Sequence, residues 1–423
     1  MKHFRTQITN SSIESAGLVK DPYQALAEYI WNGFDADAHT VTVDFISNEL
    51  GHLSQIRISD DGTGIPYPRL AEAFGNFLDS AKRKVPKRTS YTRGRKGKGR
   101  FSFSLFATRA KWDTRYADSE HDNFGYSIQI ARDNKQAFDF TEPAPTTRGT
   151  GTTVELEGIF GLSASALASE DFEQFLAQEF GWFLLLNKKN GRQLMLNGIP
   201  LAYTQIIDET DHRQWTISAD DDTDYVFEIQ YTQWKVNIGD RYYYYFLNGR
   251  HLEVAKVLSS FNNNAISFHH SVFIQSTFFD DFFQNDMALA QEDNLFSERL
   301  QQVVYRKLQT ELRDLLSGKQ KKFILEKTVE HKIKQIADQG LLPSYTDSAD
   351  DQHRQHTLLQ LIKIIYAADP RSFVGVKPSF TQSYISFLDL LLQSDQRAHL
   401  VSVLTRSTAF GEKDRQRLEA LLS

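Results

Sequence analysis

The stretch from Asp21 to Gly64 constrains this chain more than any other. Asp21-Pro22 has the form of a helix start: an acidic cap, then a proline whose missing N–H does no harm in the first turn. Tyr23, Leu26, Ala27, Ile30, Trp31 and Phe34 follow at helical spacing and make an apolar stripe. Glu28, Asn32 and Asp35 stand at i, i+4 and i+7, so they share one edge beside that stripe. Two strands are predicted next, Val41–Phe45 and Gln55–Ser59. The second runs into Asp60-Asp61-Gly62-Thr63-Gly64-Ile65, a carboxylate pair entering a glycine turn. Singly, a helix-edge Glu reads as a solvated side chain and a D-D-G turn as a loop. Helix carboxylate and amide, strand, strand, then D-x-G-x-G is an order that chance explains far less readily.

Length and composition bound the rest. A chain of 423 residues is long enough for two or three domains with a substantial core. Phe 31 and Tyr 17 supply well-packed cores or aromatic interfaces. A net charge of −6 and pI near 6.1 argue against a globally basic nucleic-acid binder, while leaving room for a local basic patch. The absence of cysteine excludes disulfides, thiolate catalysis and Cys-based zinc or iron–sulfur sites. No apolar run reaches membrane-spanning length, and MKHFRTQITN lacks the apolar core of a signal peptide, so a cytoplasmic protein with no membrane partner is expected.

Three segments are predicted: 1–165, 166–318 and 319–423. In the first, Pro68–Phe77 reads as a short helix, and the character then changes. From Lys82 to Arg100 there are ten Lys or Arg residues and no acid, without hydrophobic periodicity. Such a run alone reads as a solvated tail or a nucleic-acid patch. Its end argues otherwise, because Gly94-Arg95-Lys96-Gly97-Lys98-Gly99 feeds into Phe101-Ser102-Phe103-Ser104-Leu105-Phe106, which is expected to begin a helix. Glycines let a backbone approach a polyphosphate, and a helix N-terminus offers free N–H groups. No G-K-[ST] follows, so this is not a P-loop, and no strand precedes it as in a dinucleotide fingerprint. Strands are expected at Lys111–Tyr116, Phe124–Ala131 and Ala137–Phe140, then at Gly151-Thr152-Thr153-Val154-Glu155-Leu156.

These residues resemble the GHKL ATPase superfamily: gyrase B-type subunits, the ninety-kilodalton heat-shock chaperones, histidine kinases, MutL and MORC proteins. The family's E-x-x-x-N-x-x-D-A stands as Glu28, Asn32, Asp35 and Ala36, and its D-x-G-x-G as Asp60, Gly62 and Gly64. Its G-x-x-G-x-G-x-x-S is Gly94, Gly97, Gly99 and Ser102, and its G-T-x-V strand is Gly151-Thr152-Thr153-Val154. The resemblance implies an α+β chain: a Bergerat-type ATP-binding α/β sandwich, then a transducer-like α/β domain and a helical C-terminal module. By that resemblance ATP and Mg²⁺ are the cofactors. Glu28 would deprotonate the attacking water, Asn32 would ligate Mg²⁺, and Asp60 would accept a hydrogen bond from the adenine amino group with Thr152 in support. Gly97 and Gly99 would hold phosphates through N–H groups, with charge from Lys96 or Lys98. Asp35, Gly62, Gly64, Ile65, Lys82, Gly94, Arg100 and Phe101 complete the implied nucleotide site.

The second segment opens with a predicted helix, Ser169–Leu186, and strands at Gln193–Leu196, Tyr225–Tyr231, Tyr242–Leu247 and Val272–Phe279. Phe246-Leu247-Asn248-Gly249-Arg250 resembles the VNGR stretch of MutL-like transducer domains. That domain normally delivers a lysine or arginine to the γ-phosphate, yet Asn285 to Phe296 holds no basic residue. Either Arg250, Lys235 or a lid residue substitutes, or turnover is slow; Gln291 is a weaker candidate. Phe296–Ile336 reads as one long helix, Leu341 to Gln355 as a linker, and 356–423 as three or four further helices without evident chemistry.

Beyond ATP the sequence leaves alternatives open. One is an ATP-gated switch, closing its lid and dimerising on nucleotide, that acts on DNA or a DNA-associated partner in genome maintenance or defence. Another is a chaperone-like or signalling ATPase engaging protein clients. A histidine kinase is disfavoured, because no histidine-bearing dimerisation helix precedes the ATP segment.

Overall fold

The computed structural model describes residues 21–49, 52–75, 99–118, 120, 122–262, 267–280, 299–369, 372–373, 376–394, 402, 404 and 412–422. They belong to two compact units, Met1–Thr310 and Glu311–Ser423.

Helix α1 (Pro22–Asp35) starts as its sequence requires: the Asp21 carboxylate accepts from Tyr23 N at 2.7 Å and Gln24 N at 3.1 Å, with Pro22 in the first turn. Its apolar stripe is buried against a nine-stranded sheet. That sheet runs β5 (Asn134–Phe140), β4 (Asn123–Ala131), β3 (Arg109–Ala117), β7 (Gly151–Glu157), β2 (Leu53–Asp60), β1 (Thr40–Ser47), β8 (Gln193–Leu196), β9 (Ile199–Pro200), while β6 (Ala144–Pro145) pairs with β4. Neighbours are antiparallel except β1 and β8, which run parallel. Helices lie on one face; the other carries polar side chains such as Arg57, Ser59, Asp113, Ser127 and Thr153.

Short helices α2 (Leu70–Gly75) and α3 (Ala164–Leu167) precede α4 (Glu170–Leu186), which is buried along most of its length. On one side Phe180 and Phe183 meet Trp31 at ring-centroid distances of 4.7 and 5.2 Å. On another, Trp182 stacks on Tyr245 of a second sheet at 5.6 Å. The carboxylate of Glu179 accepts the Trp31 indole N–H at 2.8 Å in the buried layer between them. One apolar core therefore continues from α1 through α4 into the second sheet. That sheet has the order β10 (Ile207–Ser218), β11 (Asp224–Trp234), β14 (His270–Gln275), β12 (Tyr243–Leu247), β13 (Glu253–Leu258). Strands β8 and β9, which follow residue 165 in the chain, complete the first sheet rather than the second.

Helix α5 (Arg299–Asp338) is the long element expected there. The second unit also contains α6 (Ala349–Ala368), α7 (Pro378–Gln393) and α8 (Glu412–Leu422), packed around Leu361, Ile362, Ile365, Ile385, Leu388 and Leu418. The acidic stretch expected as a linker is partly helical. Ser348 caps α6 by accepting from Asp351 N, and Asp350 and Asp351 occupy a first turn that favours negative charge. Among the described residues no helix is long and apolar enough to cross a membrane.

Candidate functional site

Burial of the α1 stripe leaves Glu28, Asn32 and Asp35 half-buried along one edge. Gly33 decides how closely that edge approaches the sheet. A Cβ there would stand 2.9 Å from Val41 Cγ2 and 3.0 Å from Asp60 Cβ, so only glycine lets α1 lie directly against the end of β2. The sequence held a signal for this, since an interior helical glycine costs about 1 kcal/mol and asks for a packing reason.

The two carboxylates at the end of β2 do different work. Asp61 faces the start of β1, where its Oδ1 accepts from His39 N at 2.8 Å and Thr40 N at 2.9 Å. Asp60 faces the helix layer, and its Oδ1 accepts from Gly62 N at 2.9 Å and Thr152 N at 3.2 Å. Among the described residues its Oδ2 receives no hydrogen bond, so one carboxylate oxygen stays available to a donor. Burial raises the Asp60 carboxyl from 3.8 to about 6, against the opposing pull of the Gly62 and Thr152 bonds.

The glycine turn beyond Asp60 is enforced by close packing. Gly62 lies against the end of α1, where an added Cβ would fall 2.5 Å from the Ala36 carbonyl oxygen, while Thr63 N donates to that oxygen at 2.8 Å. Gly64 has φ +70°, and a Cβ would fall 1.9 Å from the Arg115 carbonyl oxygen. Ile65 is held from both sides: its N–H donates to Thr114 Oγ1 at 2.9 Å and its carbonyl accepts from Tyr126 at 3.0 Å. The Thr114 and Thr152 hydroxyls meet at 3.0 Å in buried surroundings. Asp60, Gly62, Gly64, Ile65 and Thr152 are thus gathered in one cluster, with Thr114 as a member that the sequence reading did not select. A threonine on β3 looks like any sheet residue until β7 is paired beside it.

Gly99, Arg100 and Phe101 begin a 3₁₀ helix, Gly99–Leu105, rather than the α-helix expected. Phe101, Phe103 and Phe106 are all buried, and β3 starts at Arg109, so little chain remains for regular turns. Gly99 sits against the first edge residue: its added Cβ would stand 2.9 Å from Glu28 Oε2. The Arg100 guanidinium lies over Phe101 at 4.7 Å and donates to the Ala73 carbonyl at 2.8 Å. Burial lowers its pKa to about 10. Lys82, Gly94, Lys96, Gly97 and Lys98 lie outside the described residues, as does Asn285 to Phe296. Lys235 donates to the Gln205 carbonyl at 2.9 Å, and Arg250 is exposed in the turn after β12, where Asn248 Oδ1 accepts its N–H at 3.0 Å.

Among the described residues no group of three or more His, Asp or Glu side chains is placed to hold a metal. The donors along the α1 edge, one amide at Asn32 and one carboxylate at Glu28 with the Gly99 backbone beside it, suit an ion that brings oxygen ligands of its own.

Residues 20–150 match the family model described as histidine kinase-, DNA gyrase B-, and HSP90-like ATPase. The DNA mismatch repair protein MutL of Thiobacillus denitrificans is 30% identical over 151 residues, 36% of this chain and 23% of that protein. The match thus spans less than a quarter of that relative. Among solved structures, the Aquifex aeolicus MutL ATPase domain complexed with ADP has 13% identity and a TM-score of 0.31, covering 61% of this chain and 92% of that one. The ATPase region of Saccharomyces cerevisiae topoisomerase II bound to ICRF-187 (dexrazoxane) has 15% identity and a TM-score of 0.35, covering 60% and 73%.

Proposed function

We propose that this chain, whose residues 20–150 match the histidine kinase-, DNA gyrase B-, and HSP90-like ATPase model, is an ATP-hydrolysing conformational switch of the GHKL superfamily. The observation that carries this reading is Asp60, a mostly buried carboxylate whose Oδ1 is anchored by two N–H groups while its Oδ2 receives no hydrogen bond among the described residues. An adenine amino group is the matching donor, whereas guanine offers a carbonyl at that position. Gly62 and Gly64 fix the tight turn beside Asp60, while Glu28 and Asn32 stand along the edge of α1 with Gly99 against Glu28. Mg²⁺ held by Asn32 and the phosphates would neutralise charge developing on the transferred group. Glu28 then takes the proton of the attacking water, one helical turn from that amide.

A pH dependence follows from Asp60. With its carboxyl raised to about 6, the native state holds that proton more tightly than the unfolded chain does. Ionisation therefore costs stability above about pH 6, and the cost is relieved as the pH falls towards about 4. Binding runs the other way, because adenine needs the ionised oxygen. ATP affinity is expected to weaken by up to about tenfold per unit below about pH 6 while the fold is not weakened by this group. Calorimetric titration between pH 5 and 8, run beside thermal melts, checks it; an affinity flat through about pH 6 would remove the role of Asp60.

The wider reading rests on the MutL relative, a DNA mismatch repair protein. In it, nucleotide brings two copies together and the closed state engages DNA or a DNA-bound partner. A ligand shifts such an equilibrium only through its differential affinity for the closed state. Mass in solution with and without a non-hydrolysable ATP analogue tests the switch, and an unchanged monomer counts against it. Turnover raised by DNA in a salt-sensitive way supports the nucleic-acid partner. A protein-engaging ATPase is the second reading, favoured by Phe380, Phe387 and Leu390, which stand exposed on α7.

A further inference from the structure

We propose that Tyr29 is a positioning residue for the reaction: its hydroxyl bridges the first turn of Gly99–Leu105 and so fixes the backbone that faces Glu28. The proposal rests on the ATPase reading above and adds to it a residue that no motif specifies, since Tyr29 stands at an x position of E-x-x-x-N.

A 3₁₀ turn joins the carbonyl of one residue to the N–H three residues on. Arg100 and Phe103 are such a pair in this turn. The Tyr29 hydroxyl donates to the Arg100 carbonyl at 3.1 Å and accepts from the Phe103 N–H at 3.1 Å, so one oxygen from α1 ties both groups. Both its donor and an acceptor position are used, as burial requires of a phenol that is 2% exposed. Burial, with the Glu28 charge nearby, pushes the phenol far above working pH, so the donor is always present.

Two consecutive residues of the helix thus meet two consecutive residues of the turn. Glu28 Oε2 abuts Gly99, and the Tyr29 oxygen holds Arg100. The helix sets the direction of the Glu28 carboxylate, while the hydroxyl sets how far the glycine backbone stands from it. Filling the space needs only the ring, which packs on Trp112 with centroids 6.4 Å apart. A leucine or phenylalanine would serve packing there. The oxygen is what links turn to helix.

Tyr29→Phe keeps the ring and removes that oxygen. In the full chain, kcat for Mg-ATP is expected to fall about tenfold or more while KM and the affinity for a non-hydrolysable analogue change less than about threefold. In a Glu28→Gln background, Tyr29→Phe is expected to add no further loss, since the carboxylate whose placement it serves is gone. Circular-dichroism melts report folding, and Tyr29→Leu, which also lacks the hydroxyl, is expected to reproduce the kcat loss. An unchanged kcat in Tyr29→Phe, with Glu28→Gln inactive, overturns the proposal and leaves the ATPase reading standing. A loss that tracks the folded fraction, or recurs in full in the Glu28→Gln background, assigns Tyr29 to stability and also overturns it. A parent chain without Glu28-dependent turnover overturns both.

Discussion

Glu28→Gln is expected to leave ATP affinity within about threefold of the parent while cutting turnover by about 10²–10⁴-fold, the contribution typical of a general base. The substitution conserves volume and polarity at a half-buried position on α1, so the helix and its stripe have no reason to change. What is lost is a basic oxygen beside Gly99. On the proposed reading affinity arises chiefly from the adenine end and from the backbone around the phosphates, neither of which needs that charge. The result is therefore a variant that binds and stalls. Phosphate release at saturating Mg-ATP, set beside calorimetric affinities, measures both quantities. Undiminished turnover would take the base role from Glu28 and require another group at the water. A fall in affinity matching the fall in turnover would instead mean that Glu28 helps hold the nucleotide.

Much of this site was legible because its determinants are local. The Asp21-Pro22 cap, the stripe from Tyr23 to Phe34 and the polar edge follow from helical periodicity, and α1 forms over these residues. The D-x-G-x-G turn was legible for the same reason, although the close approach of Gly64 to Arg115 depends on a strand fifty residues away in the chain. Long-range and polar elements were harder to read. Strand β10 escaped notice because IDETDHRQWTIS lies at a sheet edge, mostly in solvent, and shows no clear apolar alternation. Strand β8 was recognised as a strand, but nothing in four residues says that it pairs in parallel with β1. Tyr29 was not among the residues picked out of the helix; its hydroxyl gains meaning only once Arg100 and Phe103 are folded against it.

Asp60→Asn should weaken ATP binding by about a hundredfold or more without unfolding the domain. The amide oxygen of asparagine can still accept from Gly62 N and Thr152 N, so the turn keeps both of its anchors. The change falls on the other atom. In place of the unbonded Oδ2 acceptor, an NH₂ group would meet the adenine amino group of the proposed ligand donor to donor, and a buried pair of donors leaves both unsatisfied. Melting temperature gives the control: Asp60 carries a raised carboxyl, so removing its charge relieves a desolvation cost and should leave stability unchanged or higher above about pH 6. The signature is thus a domain at least as stable as the parent that no longer takes ATP, with the pH dependence of the residual affinity abolished. Near-parental affinity would show that adenine is held elsewhere. A collapse in stability would mean that the charge on Asp60 supports the fold, against the direction its burial dictates.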